Sequence, residues 1–464
     1  LDGKNSEKGR STQLTRLEHD QVGRPRRPHL FKDLLTQRWL CQAGLQNTDR
    51  EQTQAGHPIS RTHQLGRQTH TMLPSPEAVL TPSAPIALDH QATTPCHEDV
   101  VTAMEPWWSE QWGNPSSRQH RLGLTAAAAV QMAREQISDC LSCSAEQLIF
   151  TSGATEANNI ALLGHARAIA RERGQPGHLI SMVSEHHAVL DPLRQLQREG
   201  FRITLLSPEP DGLLDPKKLE AAITEDTQLV SVMLANNEIG VIQPLPEVAA
   251  ICRDRGVTLH SDVAQAFGHI PFDSKGLGAD FLSLSAHKLN GPKGIGALIC
   301  NPGLTVEPLQ WGGGQERGLR PGTLPVPLII GFAKAAELAR SDLASRRRRI
   351  ERLRNRLWEG LKQGQPSLLL NGHATARLPH NLNITIPGVS GSKLHRALRS
   401  QVACSSGSAC SRGEPSHVLM ALGRSRQEAE ASLRLSLGRS TSDGDIDRAI
   451  QAINKVIHQL RHKA

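Results

Sequence analysis

A lysine that follows an apolar segment is the residue with the clearest chemical potential. Residues 281–294 read FLSLSAHKLNGPKG, which predicts a buried strand that ends at Ser285. His287 and Lys288 follow, and then a Gly/Pro turn. A poorly hydrated lysine amine favours Schiff-base formation with a carbonyl cofactor. A lysine in this position is more often a solvated loop residue, so its function has to be argued from other segments.

A second segment has the composition of an anion site. TSGATEANN, residues 151–159, follows an apolar run and places Ala154 and Thr155 at the start of a predicted helix. Backbone N–H groups and the helix dipole attract a phosphate there, and Thr155 adds a hydroxyl. Ser285 and His287 are placed to donate hydrogen bonds to the same phosphate. Small and polar residues also suit any helix N-terminus, so this segment alone indicates a helix cap and little more.

Two further polar residues follow predicted strands. Asp262 comes directly after the run 257–261, and a carboxylate there can pair with a protonated pyridine nitrogen. His186 follows the run 178–183, where an imidazole can stack on a cofactor ring or transfer protons. Taken singly, the aspartate is more often a helix cap and the histidine more often structural.

The combination is more specific than any of its parts. A phosphate site, a histidine for a ring, an acid for a pyridine nitrogen and a Schiff-base lysine occur in this order. They are the four things that pyridoxal phosphate needs from a protein. The sequence therefore predicts pyridoxal 5'-phosphate as the cofactor.

The elements that must position these residues are read from the apolar pattern. Seven runs suit buried strands, and they are 147–151, 178–183, 202–206, 228–234, 257–261, 280–285 and 295–300. Helix-period segments occur at 123–138, 155–172, 186–199, 216–224 and 245–255. Alternating strands and helices predict an α/β fold with a mainly parallel sheet covered on both faces. Ligands bind such sheets beyond the carboxyl ends of the strands, where the polar segments fall.

Domain organisation follows from the remaining pattern. We expect a large domain over 84–335, whose first segment, 84–103, packs on a smaller α+β domain over 336–464. A long helical stretch is predicted for 328–362, and its basic run, 346–349, is interpreted as a solvated helix face. Residues 1–83 lack any helical or strand period, which indicates a disordered or non-native extension. Met72 is an alternative start.

Composition excludes several classes of function. The chain has 464 residues, a net charge of +8 and 3% aromatic residues, with no tyrosine, which argues against a nucleic-acid-binding protein. No apolar run is long enough to span a membrane. Eight irregularly spaced cysteines indicate a reducing compartment, and the cytoplasm is the expected location. Cys140 and Cys143 have no second pair nearby, so no metal site is predicted.

A family resemblance covers the chain from about residue 85 to its end. Its motifs are DHQATTP (89–95), NPSSRQH (114–120), TSGATEANN (151–159), SEHHAVL (184–190), ANNEIGVIQP (235–244), HSDVAQAFG (260–268), SLSAHKLNGPKG (283–294), GGGQERGLRPGTLP (312–325), CSSGSACS (404–411) and LRLSLGR (433–439). In these motifs the chain resembles group I cysteine desulfurases, the nitrogenase and iron–sulfur-cluster type of the class V aminotransferase superfamily. The resemblance implies pyridoxal-phosphate fold type I, with a seven-stranded sheet and a smaller C-terminal domain.

The resemblance also implies a role for individual residues. Lys288 would form the Schiff base and act as the base at the substrate Cα, and His186 would stack on the ring. Asp262 would bind the pyridine nitrogen and Gln265 the ring hydroxyl. The remaining assignments are Ala154, Thr155, Ser285 and His287 at the phosphate, Thr323 at the phosphate from a partner subunit, and Asn236 and Arg434 at the substrate carboxylate.

Cys410 distinguishes this activity from other uses of the fold. It lies in a run of small polar residues, and Arg412, two positions on, favours the thiolate. The resemblance implies that L-cysteine is converted to L-alanine while Cys410 receives the sulfur as a persulfide. The implied partners are a second copy of the chain and a sulfur acceptor, either an iron–sulfur scaffold protein or a protein for thiolation. The alternatives are a selenocysteine lyase, another class V aminotransferase-type enzyme, or an inactive cluster-assembly scaffold.

Overall fold

The computed structural model describes residues 84–406 and 414–462, all within the unit Pro74–Ala464. The strands are β1 (Ile86–Ala87), β2 (Leu148–Thr151), β3 (His178–Met182), β4 (Arg202–Leu206), β5 (Thr227–Ser231), β6 (Thr258–Asp262), β7 (Phe281–Ser285), β8 (Gly296–Cys300), β9 (Leu369–Leu370), β10 (Asn381–Thr385), β11 (Val402–Ala403) and β12 (Ser432–Ser436). The predictions for residues 1–83 and for Cys410 lie outside the described residues.

Helices cover much of the rest of this part of the chain. They are α1 (Glu98–Met104), α2 (Pro106–Ser109), α3 (Arg121–Leu141), α4 (Ala154–Asn159), α5 (His165–Arg173), α6 (His187–Arg198), α7 (Pro216–Ala222), α8 (Leu245–Asp254), α9 (Ser274–Leu277), α10 (Val326–Ser341), α11 (Leu343–Gly364), α12 (Gly391–Leu398), α13 (His417–Ala421), α14 (Arg426–Glu430) and α15 (Asp443–His462). A π-helical segment, Ile160–Gly164, joins α4 to α5.

The main sheet has seven strands in the order β2-β8-β7-β6-β5-β3-β4. Only β8 runs antiparallel to its two neighbours, β2 and β7, so the other six strands share one direction. All seven predicted strands and the mainly parallel α/β sheet are confirmed. Because the six strands share a direction, the polar residues after β2, β3, β6 and β7 meet at one edge of the sheet.

Amphipathic helices cover this sheet. In α3 the buried residues Ala126, Val130, Ala133 and Ile137 recur at helical spacing, and this face packs against α10. The helical stretch predicted for 328–362 forms two helices, α10 and α11, which are separated at Asp342. The Asp342 carboxylate binds Arg346 at 2.6 Å and Arg439 at 2.5 Å, and these ion pairs fix the break.

The basic run 346–349 is solvated in part, since Arg347 and Arg348 are exposed whereas Arg346 and Arg349 are half-buried. Arg346 donates to the carbonyls of Gly268 and Ala339. Burial lowers the pKa of Arg346 to about 10. Arg349 donates to the carbonyls of Arg439 and Thr441. The prediction of a solvated face is therefore wrong for these two arginines, which tie α11 to the segment before α15.

The C-terminal residues build a smaller antiparallel sheet in the order β12-β10-β9. α11, α12 and α15 enclose a second hydrophobic cluster against it. Near the N-terminus, β1 pairs in parallel with β11, so Ile86 lies opposite Val402. The division into domains at residue 335 stays a prediction.

Candidate active site

A pocket of about 460 Å³ opens at the carboxyl edge of the main sheet. Its lining includes Gln91, Ser152, Gly153, Ala154, Thr155, His186, Asn237, Asp262, Gln265, Ser285, His287, Lys288, Lys293 and Arg434. Strand ends β2, β6 and β7 deliver most of these residues. β12 of the smaller sheet delivers Arg434. The structure thus brings nine of the predicted site residues together on one pocket.

Lys288 lies in a 3₁₀ turn, Ala286–Lys288, that follows β7 directly. Its Nζ donates hydrogen bonds to the backbone carbonyl of Gln91 and, at 2.9 Å, to that of Ala92. The amine is therefore held beside the segment that follows β1, within the pocket lining.

The start of α4 forms one wall of the pocket. Gly153 precedes it with φ +154°, a conformation that favours glycine, and a Cβ there would lie 4.0 Å from Ser285 Oγ. The first N–H groups of α4 lack intrahelical partners, as at any helix start. His287 Nδ1 lies 3.1 Å from Thr93 Oγ1. Burial, with Lys288 and Lys293 nearby, lowers the pKa of His287 to about 4, so the imidazole is neutral at pH 7.

Asp262 is a buried carboxylate at the last position of β6. Its Oδ2 accepts from Asn158 Nδ2 at 2.7 Å, and its Oδ1 accepts from the backbone N–H of Ala264 at 2.9 Å. These two donors fix the orientation of the carboxylate. Asn158 is a residue that sequence reasoning missed, although it lies within the motif TSGATEANN.

His186 caps the N-terminus of α6. Its Nδ1 accepts from the backbone N–H of Ala188 at 3.1 Å, which leaves the ring proton on Nε2. Burial lowers the pKa of His186, and the nearby Asp262 carboxylate opposes part of this shift. A neutral ring is thus held on the pocket wall near Asp262 and Lys288.

Gln265 lines the pocket, and its side-chain amide is hydrogen-bonded within the protein. Its Nε2 donates to the carbonyl of Gln91 at 3.1 Å, the same carbonyl that accepts from Lys288. Gln91 therefore joins two residues that the sequence had already singled out. It was itself missed as a site residue.

The side chain of Asn236 lies in a turn next to the pocket, and its role at the substrate carboxylate stays a prediction. Asn236 Nδ2 donates to the carbonyl of Ser184 at 2.9 Å, and its Oδ1 accepts from the backbone N–H groups of Glu238 and Ile239. The side chain is buried and stabilises the turn instead of lining the pocket. Its neighbour Asn237 does line the pocket, and Asn237 Oδ1 has no hydrogen-bond partner among the described residues.

Arg434 is buried, with a side chain that is 3% exposed. One terminal nitrogen donates to the carbonyl of Asn237 at 2.9 Å, and the other lies 2.8 Å from Asp89 Oδ1. Its Nε has no partner in the described part of the chain. The guanidinium is therefore fixed on two sides and keeps donors for a ligand.

Two predicted residues are not placed on this pocket. Thr323 is exposed and does not line it. Cys410 lies between the two described ranges. The residues on either side of that gap contact the pocket's framework: Ser405 pairs with the backbone of Arg434, and His417 Nε2 donates to the carbonyl of Glu185 at 2.9 Å.

The polar groups that line the pocket suit pyridoxal phosphate. A glycine-bounded helix start, a neutral buried histidine, an oriented carboxylate and a lysine amine are all present. Asn237 Oδ1, Arg434 Nε and Gln91 Nε2 have no hydrogen-bond partner among the described residues, and buried polar atoms in native proteins are normally paired. The residues therefore fit the group that the sequence predicts.

Comparison with known proteins places the chain in a class. The family model for class V aminotransferases matches residues 86–449. The chain belongs to the class V aminotransferase family, whose members are generally dependent on pyridoxal phosphate, and the predicted membership is confirmed.

Relatives within this family are named cysteine desulfurases. The chain is 44% identical over 381 residues to the cysteine desulfurase IscS of Rickettsia africae, covering 81% of this chain and 92% of the relative. It is also 44% identical over 386 residues to that of Dechloromonas aromatica, covering 82% and 94%. Among solved structures, a NifS-like protein matches with a TM-score of 0.75 and 34% identity over 81% of this chain and 99% of that protein.

Two negative findings concern only residues 84–406 and 414–462. No helix in these ranges has both the length and the apolarity to span a membrane. No cluster of three or more His, Cys, Asp or Glu side chains suited to a metal occurs there, and Cys140 and Cys143 are free thiols at the end of α3.

Proposed function

We propose that the protein is a cysteine desulfurase, which converts L-cysteine to L-alanine and transfers the sulfur to Cys410. The observation that carries the proposal is the pocket in which Lys288, Asp262, His186 and Arg434 converge. It is supported by 44% identity to desulfurases over most of the chain. A lysine, an oriented carboxylate and an arginine in one pocket suit an amino-acid substrate, which carries both an amine and a carboxylate.

The proposed cofactor is pyridoxal 5'-phosphate. Lys288 would hold it covalently, and Asp262 would bind its pyridine nitrogen. The start of α4 with Ala154, Thr155, Ser285 and His287 would hold the phosphate, and Gln265 would bind the ring hydroxyl. When bound, the group supplies an electron sink for negative charge at the amino-acid Cα.

Substrate binding is assigned to Arg434 and Asn237. A planar guanidinium pairs well with a carboxylate, and Arg434 Nε has no hydrogen-bond partner among the described residues. Asn236 is the residue predicted for this role from the sequence, and we add its neighbour Asn237 because Asn237 lines the pocket. Lys288 would then remove the proton from the substrate Cα, since its amine lies in the same pocket.

Cys410 is the proposed sulfur acceptor. Its thiolate would attack the substrate sulfur, so that an S–S bond forms and the Cβ–S bond breaks. Two protons, from the Cys410 thiol and the substrate thiol, balance the formation of the alanine methyl group and the persulfide. Arg412 favours the thiolate form that this attack requires.

The proposed assembly is a homodimer in which Thr323 reaches the partner's phosphate site. This fits its exposure and its absence from the pocket of its own chain. The sulfur would pass to an acceptor or iron–sulfur scaffold protein. The six cysteines of the described residues are all free thiols, which agrees with a reducing compartment such as the cytoplasm.

Turnover of alternative substrates tests the proposal. Purified holoenzyme is incubated separately with L-cysteine, L-selenocysteine and common amino donors, and alanine, sulfide and keto acids are quantified. We expect alanine and sulfide from L-cysteine in the presence of a thiol reductant. Exclusive turnover of selenocysteine, or amino transfer without sulfur release, would contradict the assignment.

A further inference from the structure

Glu156 brings a negative charge to the pocket wall at the start of α4. It lies in the first turn of this helix and lines the pocket, and one of its carboxylate oxygens accepts from the backbone N–H of Ser152. Burial raises the pKa of Glu156, but the hydrogen bonds from Ser152 and Arg320 outweigh this effect, so its pKa lies below the ordinary value. The carboxylate is therefore ionised at pH 7, and it repels a phosphate on this wall unless another group neutralises it.

Arg320 supplies the opposite charge. Its Nε donates to Glu156 Oε1 at 3.1 Å, while the Ser152 N–H binds the other oxygen of the same carboxylate. The side chains of Arg320 and Glu156 are only 23% and 17% exposed, so solvent ions screen this pair less than a surface pair. Arg320 does not line the pocket itself, and it can therefore influence a ligand there only through Glu156.

The loop that carries Arg320 is fixed independently of this ion pair. The buried carboxylate of Glu316 accepts from Arg134 at 2.5 and 2.9 Å and from the backbone N–H of Phe150, in the strand that leads into α4, at 2.7 Å. Glu316 and Arg317 have left-handed backbone conformations, with φ of +47° and +60°, which other residues than glycine rarely adopt. Such strain persists only where surrounding contacts compensate it, and the ion pair with Arg134 does so. We therefore expect the loop to keep its path when only the side chain of Arg320 is changed.

The residues that the proposed function assigns to the phosphate bring no positive charge of their own. Three of them are an alanine, a threonine and a serine, and His287 is neutral at pH 7 because burial and two nearby lysines lower its pKa to about 4. Lys293 lines the pocket but is exposed, so its charge is screened by solvent ions. The helical backbone that begins with α4 continues to residue 173, and its first N–H groups attract an anion. An uncompensated charge on Glu156 would oppose this attraction.

We propose that Arg320 is a positioning residue for the cofactor phosphate, which neutralises Glu156 and holds that carboxylate against the Ser152 N–H. Arg320 does not touch the phosphate in this arrangement, and its whole effect passes through Glu156. The inference rests on the proposed function, because it concerns the cofactor site of that function.

Binding of two cofactor forms tests this role. The apoprotein of the full chain is titrated with pyridoxal 5'-phosphate and, separately, with pyridoxal, which lacks the phosphate, and absorbance reports binding. We expect Arg320→Gln to raise the Kd for pyridoxal phosphate about 10-fold, since a like charge near the phosphate is no longer neutralised. The Kd for pyridoxal should stay unchanged. The weakening should also shrink in high salt, which screens the repulsion.

A second substitution separates charge from packing. Arg320→Gln combined with Glu156→Gln removes both charges, so the Kd for pyridoxal phosphate should return to within about threefold of the wild-type value. A loss of packing would persist in this double variant. Arg320→Lys retains the charge and should bind more tightly than Arg320→Gln. Arg167→Gln is the matched control, since Arg167 forms a partly exposed ion pair with Glu199 on the same helical run and does not line the pocket, so both Kd values should stay unchanged.

The outcomes are distinct. A wild-type Kd for pyridoxal phosphate in Arg320→Gln, an equal loss for pyridoxal, or a double variant as weak as Arg320→Gln would each overturn the inference. A wild-type protein that binds the cofactor but releases no sulfur from L-cysteine would refute the proposed function, and the Kd values would still test Arg320. A wild-type protein that binds no pyridoxal phosphate would refute both.

Discussion

Two clusters of buried polar side chains lie on either side of Lys288, and only one of them encloses space for a ligand. The pocket contains the lysine amine, whereas a second cluster contacts the lysine backbone through His269 Nε2, 2.9 Å from the Lys288 carbonyl. We call this second region the junction cluster and define it as His90, His269, His380, Arg346 and Arg439. Both regions bury charged or titratable groups, but they differ in the volume of the cavity that these groups enclose.

The junction cluster is closely packed. The rings of His269 and His380 are 4.2 Å apart, and Arg346 and Arg439 share the carboxylate of Asp342. The cavity beside them is about 30 Å³, which is large enough for water but too small for an organic molecule. Burial lowers the pKa of His269 to about 4 and that of His380 well below its ordinary value, so these rings stay neutral near pH 7.

The pocket is about fifteen times larger, whereas buried atoms without a hydrogen-bond partner among the described residues occur in both regions, at Gln91 and Arg434 in the pocket and at His90, His380 and Arg439 in the junction cluster. Burial of a polar group is therefore not by itself a sign of function. Polar side chains around a cavity of ligand size indicate binding, whereas neutral rings packed around a water-sized space indicate a role in stability. Substitutions in the two regions should therefore affect different observables.

The largest effect is expected for Lys288→Ala. Removal of the only lysine amine assigned to the covalent role should reduce alanine formation from L-cysteine below detection and remove the long-wavelength absorbance of the holoenzyme. The unfolding midpoint of the apoprotein should change little, because the amine lies in the pocket lining and the Gln91 carbonyl keeps its hydrogen bond from Gln265. An unchanged spectrum or residual turnover near the wild-type level would contradict the assignment of catalysis to Lys288 in the pocket.

Next in size is the loss of the buried guanidinium. Arg434→Gln should lower kcat/KM for L-cysteine about 100- to 1,000-fold, mainly through KM, since a charged partner of the substrate carboxylate is lost. Steady-state kinetics with L-cysteine measures this effect. The exposed Arg194, paired with Asp191 on the surface of α6, provides the control substitution Arg194→Gln. A KM equal to the wild-type value would contradict the assignment of Arg434.

The junction cluster should instead respond to acid. The folded pKa of His269 is about 4, below the ordinary 6.5, so the unfolded chain binds a proton first as the pH falls. The contribution of this residue, about 3 kcal/mol, is present above pH 6.5 and is lost progressively towards pH 4. Urea unfolding at pH 7.5 and pH 5 should show a smaller pH dependence in His269→Gln.

The Lys288 carbonyl raises the pKa of His269, whereas Arg346, Lys288 and His90 lower it further. His269→Gln removes the titration and retains a donor for that carbonyl. A pH dependence identical to that of the wild type would show that His269 titrates equally in both states and would contradict the account of the cluster.

The smallest effect distinguishes two adjacent asparagines. Asn236→Ala should lower the free energy of unfolding by about 1–3 kcal/mol, because two buried backbone N–H groups lose their acceptor. Asn237→Ala should leave unfolding almost unchanged and weaken activity. Thermal denaturation and turnover are measured for both variants. If Asn236→Ala loses activity without loss of stability, Asn236 and not Asn237 binds the substrate.

Local patterns predicted most of the main sheet but not every side-chain direction. The seven strands followed from continuous apolar runs, and the residues at their ends followed from the rule that parallel strands end at one edge. The pattern could not separate Asn236 from Asn237, since the turn between Ala235 and Ile242 decides which of the two residues lines the pocket.

Long-range contacts account for the other misses. The break at Asp342 and the burial of Arg346 depend on Arg439 and on carbonyls far away in sequence. Gln91 carries no recognisable signal by itself, because its importance comes from Lys288, Asn381 and Ser436, which are between 197 and 345 positions away. Such contacts form only when the main sheet and the smaller sheet pack together, so a local sequence pattern cannot predict them.

The most direct test of the central claim follows the sulfur atom itself. Holoenzyme and Cys410→Ala are mixed with L-cysteine in a single turnover without reductant, alanine is quantified, and peptides are analysed by mass spectrometry. We expect one alanine per sulfur atom added to the Cys410 peptide, and neither product from Cys410→Ala, whose cofactor absorbance stays intact. Alanine release by that variant at the wild-type rate, or sulfur bound to a different cysteine, would contradict the account.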